Sequence, residues 1–254
     1  MSLNKVKPGS NMLQDVTHTW NPLPHVLCQH RCIYCYVKRI PGYLKSTQLI
    51  FPSLHDKLGR YKVIFLCSTT DMFGEWVPDR SIFDILEYCR TFPLCVYYFL
   101  TKNPKRYWGT LHLLPPHFIL GTTIETNRLY PDISMAPSTH DRFADFKDIP
   151  PPKMVCIEPI MDFDLKPFLE MLKEMAPTYV VIGAVTGNVS LPEPEDWKIS
   201  RLIEELSTFT EVVAKANLKR LLDLESIKDF LTSPDPKRRM TQAGLLGGKT
   251  IATS

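Results

Sequence analysis

Cys28, Cys32 and Cys35 stand in the run Cys-Gln-His-Arg-Cys-Ile-Tyr-Cys, a C-x-x-x-C-x-x-C spacing that puts three thiols on one short turn. Three thiolates can hold three irons of an iron-sulfur cube. Such clusters are usually held by four cysteines, so a set of three leaves one iron open to a small molecule. Two other readings compete with this one. Cysteines two to four residues apart also match zinc spacings, for which His25 or His30 could supply a fourth ligand. Buried cysteines can also be inert core residues, as the pattern Ile82, Ile85, Leu86, Cys89 suggests for Cys89.

The elements that must position this turn are readable from hydrophobic period. The chain has 254 residues and 44% hydrophobic composition, enough for a sizeable core and close to the length of one α/β barrel, about 250 residues. Short β-branched or aromatic runs alternate with helix-period segments, the pattern of βα units around a parallel sheet. Strands are predicted at 62–67, 95–101, 118–122, 154–158 and 179–183, with another at 211–214 and a first strand just before Cys28. Helices are predicted at 165–175 and 195–206. In the former, Leu165, Phe168, Leu169 and Leu172 form one stripe and Asp164 is the expected N-cap. The resulting six or seven units predict an α/β fold, an open partial TIM barrel of the (β/α)6 type with parallel strands. The expected organisation is an N-terminal extension at 1–18, the barrel at 19–232 and an extended or mobile tail at 233–254. Two long polar connections stand out, 127–152 and 186–194, and the first reads as a disordered surface excursion or a lid over the site.

Reacting groups of α/β barrels sit where the strands end. Here those positions are polar: Ser68, Thr69 and Asp71 after the second strand, Lys102 after the third, Thr123 and Glu125 after the fourth, and Glu158 after the fifth. They converge on the mouth that the cysteine turn would share. Hydroxyls and carboxylates can accept hydrogen bonds from an ammonium, and a lysine can meet a carboxylate as a point charge.

With an aromatic residue, Tyr34, immediately before the last cysteine, the turn resembles the signature of the radical S-adenosylmethionine superfamily. The resemblance implies a [4Fe-4S] cluster on Cys28, Cys32 and Cys35, with S-adenosyl-L-methionine chelated to the open iron and cleaved to methionine and a 5'-deoxyadenosyl radical. It further implies that Ser68, Thr69, Asp71, Lys102, Thr123 and Glu125 hold the cofactor, that Tyr34 helps to place the adenine, and that Glu158 meets cofactor or substrate. The Gly-Gly-Glu that often binds the methionine amino group is absent; Ser68 to Asp71 take its place, and Gly74-Glu75 lies further along. A closer resemblance is to a bacterial and phage branch of unknown function. It rests on Thr19-Trp20-Asn21-Pro22, on Ser68-x-x-Asp71-x-Phe73 and on Leu100 to Pro104. Gly121 to Glu125, Ile157-Glu158-Pro159 and Val181-Ile182-Gly183 extend the match. Radical lyases that repair DNA photoproducts are more distant relatives.

The implied activity is a radical enzyme with an unidentified substrate and an electron donor such as flavodoxin or ferredoxin. The alternative is a zinc- or cluster-stabilised binding module, with nucleic acid a possible partner through the basic run Lys237-Arg238-Arg239. A formal net charge of +3 does not by itself point to nucleic acid. No run reaches the roughly 18 apolar residues of a membrane span, the N-terminus lacks the order of a signal peptide, and the seven cysteines lack a disulfide pattern. The expected location is the cytoplasm, with no membrane partner.

Overall fold

A computed structural model describes residues 3–23, 26–40 and 51–222. Its centre is one eight-stranded sheet: β1 (Asn4–Lys5), β2 (His18–Trp20), β3 (Val63–Leu66), β4 (Val96–Thr101), β5 (Phe118–Thr123), β6 (Lys153–Ile157), β7 (Tyr179–Ile182) and β8 (Glu211–Ala214), ordered as in the sequence. β2 to β8 run parallel, and β1 lies antiparallel on β2. Among the described residues four α-helices lie in the connections: α1 (Asp79–Arg90), α2 (Thr139–Phe146), α3 (Leu165–Met175) and α4 (Asp196–Ser207). The expected open, partial α/β barrel is the fold observed.

The central strands β3 to β7 are largely apolar because both faces of the sheet are covered there, as parallel sheets require, whereas the edge strand β1 is polar and exposed. Alternate residues serve the two sides. Ile64, Leu66, Tyr97, Phe99, Val155, Ile157, Val180 and Ile182 join the helix-side core with Ile82, Phe168, Leu172 and Ile203. Val63, Phe65, Tyr98, Ile119, Met154, Tyr179, Val181 and Val213 face the opposite side, where Leu13 and Val16 of the N-terminal segment pack on them. Fully burying such a side chain is worth about 1.5–3 kcal/mol. The segment read as an extension is therefore built into the barrel: a boundary at residue 18 falls inside β2, and Val6, Met12, Leu13 and Val16 pack on the inner face.

Three further expectations change. The first strand, at His18–Trp20, stops short of the cysteine turn rather than adjoining it. The connection 127–152 contains α2, opened by a reciprocal capping box between Ser138 and Asp141. Asp164 does occupy the N-cap of α3, but makes no side-chain capping bond; Arg128 takes its carboxylate at 2.6 Å. The tail at 233–254, His25 and the basic run at 237–239 lie outside the described residues. No helix among the described residues is long and apolar enough to cross a membrane.

Candidate functional site

Parallel strands in sequential order bring all their C-terminal ends to one mouth, and a cavity of about 620 Å³ opens there. Cys28, Cys32 and Cys35 line it together with Tyr34, Ser68, Thr69, Asp71, Lys102, Thr123 and Glu158. Of the residues singled out from the sequence, Glu125 alone does not line it; it borders a second cavity of about 340 Å³, which Tyr34 separates from the first.

The cysteine turn is held by its own backbone and by a neighbouring loop. Cys35 N–H donates to Cys32 O at 3.2 Å, and Arg31 takes a left-handed φ of 49°. The loop preceding α2 clasps the turn from outside: Ile33 N–H donates to Ile133 O, Met135 N–H to His30 O, and Ser134 Oγ lies 3.0 Å from Cys32 Sγ. Burial, reinforced by the charge of Asp71, pushes the Cys28 thiol up to about 12. A coordinated metal would reverse that, since a thiol bound to a metal is deprotonated outright.

β3 is followed by Cys67, whose φ of 53° turns the chain sharply so that Ser68 to Asp71 enter the mouth. Asn21 fixes this turn: its Oδ1 accepts from Thr69 N–H at 3.2 Å, from Thr69 Oγ1 at 3.0 Å and from Ser68 Oγ at 3.3 Å. Asp71 is a structural tie. Its Oδ2 meets His30 Nε2 at 2.9 Å and accepts from Thr101 Oγ1 and Lys102 N–H at 2.8 Å, while Oδ1 accepts from Phe73 N–H at 2.9 Å. Burial alone would raise its pKa; the bond and charge of His30 and the two Oδ2 donors outweigh it and hold the carboxyl below its ordinary range.

Glu125 is bound more tightly still. At 1% exposure it accepts from Lys102 Nζ and Tyr34 Oη at 2.5 Å on one oxygen and from Arg142 Nη1 at 2.8 Å on the other. Against the cost of burial, Arg142, Lys102 and Tyr34 hold it at about 2. Arg142 also donates to Thr123 O, and the Lys102 ammonium stands 5.3 Å from the Tyr34 ring centroid. Arg142 and Asn21 are site-building residues that sequence reasoning did not select. The capping box of α2 and the Thr-Trp-Asn-Pro motif were the available signals.

On the far side of the cavity Glu158 accepts from Lys215 Nζ at 2.6 Å, from Asn217 Nδ2 at 2.9 Å and from Asn11 Nδ2 at 2.9 Å. Gly183 makes room for it, since a Cβ there would stand 2.7 Å from Glu158 Oε1. The open side of the barrel is bridged by Arg39, which donates to Thr186 at 3.2 Å beside Gly187, whose left-handed φ is 85°.

This donor set suits a cluster with a vacant coordination position. Three soft thiols share one cavity wall, and structural zinc sites are usually closed by four protein ligands. Among the described residues no group of three or more Cys, His, Asp or Glu side chains, the three thiols included, is drawn together tightly enough to hold a metal ion, so the fit rests on the chemistry of the thiols and their shared cavity. His30, the described histidine beside the turn, has Nε2 engaged by Asp71. Thr70, another lining residue, has a buried hydroxyl without a hydrogen-bond partner, a polar atom available to a bound group.

Solved structures of spore photoproduct lyase share the fold. One, carrying bound AdoMet and a dinucleoside spore photoproduct, matches at 12% identity with a TM-score of 0.53 over 82% of this chain and 67% of its own. Another, complexed with the dinucleoside spore photoproduct, matches at 14% identity and 0.55 over 92% and 76%. No curated protein sequence matches the chain. Residues 12–211 match the protein family of unknown function DUF5131, so the chain belongs to that family.

Proposed function

We propose that the protein is a radical S-adenosylmethionine enzyme acting on an unidentified substrate, with Cys28, Cys32 and Cys35 holding a [4Fe-4S] cluster. The observation that carries this reading is the three-cysteine turn opening onto a roomy cavity at the C-terminal mouth of a parallel partial barrel. The likeness in fold to spore photoproduct lyase, a radical enzyme of this superfamily, supports it. When bound, the reduced cluster would supply the electron that splits S-adenosyl-L-methionine into methionine and a 5'-deoxyadenosyl radical.

The chain's own residues bind, orient and shield. Ser68, Thr69 and the unpartnered Thr70 hydroxyl offer acceptors to the methionine ammonium, on a turn kept rigid by Asn21. Lys102 offers its ammonium to the carboxylate, aimed by Glu125. Tyr34 and Thr123 border the same space, and Asp71 and Glu125 act through the groups they hold. Glu158, across the cavity, faces the substrate with Lys215 beside it.

The test is anaerobic reconstitution with iron and sulfide, reduction with dithionite, and an assay for 5'-deoxyadenosine. Product that vanishes in Cys32→Ala is the expected outcome. A Cys32→Ala protein that kept a four-iron cluster and cleaved the cofactor would overturn the assignment, and zinc without sulfide-bound iron would favour a binding module.

A further inference from the structure

We propose that the outer face of the cysteine turn is a docking surface for an acidic one-electron carrier protein; this rests on the radical reading above. Inward and outward residues alternate over 28–34, and 38–40 are exposed in succession. The three thiols line the cavity, with Cys32 buried, while Arg31, Ile33, Lys38, Arg39 and Ile40 are exposed. Residues 28–40 contain no Asp or Glu. Among them, Ile33 is 44% and Ile40 37% exposed, large values for apolar side chains.

The loop that clasps the turn extends this face. Met135 is 69% exposed, and its N–H donates to His30 O at 2.7 Å, so it is fixed against the turn. Asp132 is the exposed carboxylate of that loop. The face therefore combines apolar contact area with a basic surround. Such a surface steers an acidic partner electrostatically and holds it by burial of apolar area. Only the thickness of the turn separates it from the thiols. A carrier docked there would have the cluster within reach while the cavity stays available to cofactor and substrate. In the transfer one electron leaves the reduced carrier, which is oxidised by one, and the cluster is reduced by one; no bond forms or breaks.

The experiment uses the reconstituted full-length protein, reduced flavodoxin as the acidic carrier and dithionite as a small reductant. In Arg31→Glu/Lys38→Glu, cluster reduction by flavodoxin at low salt should slow by about tenfold or more and lose its salt dependence. Reduction by dithionite should stay within about twofold of the parent. Lys166→Glu, on α3 away from the turn, should behave like the parent. Unchanged flavodoxin rates in the double variant would overturn the proposal, as would an equal loss with dithionite or in Lys166→Glu. If no cluster forms in the parent protein, the radical reading fails separately, and a flavodoxin titration decides the docking face by itself. Salt-sensitive binding to the parent that is lost in the double variant supports the face; binding retained by the variant, or absent from the parent, overturns it.

Discussion

Glu125 and Glu158 follow the ends of neighbouring strands, yet their surroundings differ in kind. Glu125 is sealed among Arg142, Lys102 and Tyr34, and those partners come from α2, a strand end and the cysteine turn. Glu158 stands partly open on the cavity wall, held by Lys215, Asn217 and Asn11. The first carboxylate ties the cysteine turn to α2 and the end of β4, and the second borders the cavity. The difference teaches that polarity at a strand end does not identify a binding group. Each carboxylate has three donors, so burial, 2% exposure of the Glu125 side chain against 18% for Glu158, separates the group sealed into the site from the one that can meet a ligand.

The sharpest way to break this comparison is Glu125→Ala, which strands the buried Arg142 and the partly buried Lys102. It should cost about 3–5 kcal/mol, read by urea denaturation. A loss as small as that of an exposed substitution would deny Glu125 its structural role. Acid should expose the same dependence. The Glu125 carboxyl lies at about 2 when folded against 4.5 as its ordinary value, so its stabilisation is full above the unfolded value and fades as pH falls toward 2. The amount is roughly 3 kcal/mol, and the lowered Asp71 adds in the same direction. Glu125→Gln should flatten that acid limb in pH-dependent unfolding.

Effects on the Glu158 side should be smaller. Gly183→Ala forces a methyl against the Glu158 carboxylate and should cost about 1–3 kcal/mol in thermal unfolding. It should leave dithionite-driven formation of 5'-deoxyadenosine intact. A loss of that reaction would mean the far wall also supports the cofactor. Asn11→Ala should change global stability by no more than about 0.5 kcal/mol, since Asn11 is exposed. Faster hydrogen exchange confined to the segment 4–16 is the expected signature, and unchanged exchange would show that the contact with Glu158 does not hold that segment.

Strands β3 to β8 were legible because both faces of a parallel sheet are covered, which leaves apolar runs in the sequence, whereas the short polar β1 and β2 left no such run. α2 was not, because its eight residues include two aspartates, a histidine and an arginine, and one turn of apolar period is too little signal. The cysteine turn announced itself by spacing alone. The partners of the carboxylates did not, since Arg142 lies 17 positions from Glu125 and Lys215 57 from Glu158, and only the fold brings them together. The partners of Asp71 were hidden for the same reason: nothing local reveals that His30, Thr101 and Lys102 meet it.

The N-terminal segment on the inner face carries a consequence for synthesis. Leu13 and Val16 leave the ribosome early, but the surface that buries them includes Tyr179, Val181 and Val213, made near the end of the described chain. Translation at about 5–20 residues per second leaves these apolar side chains without their partners for on the order of ten seconds or more. The stretch that closes the finished molecule is thus the one that a growing chain must keep from sticking elsewhere, and early chaperone contact should be concentrated there.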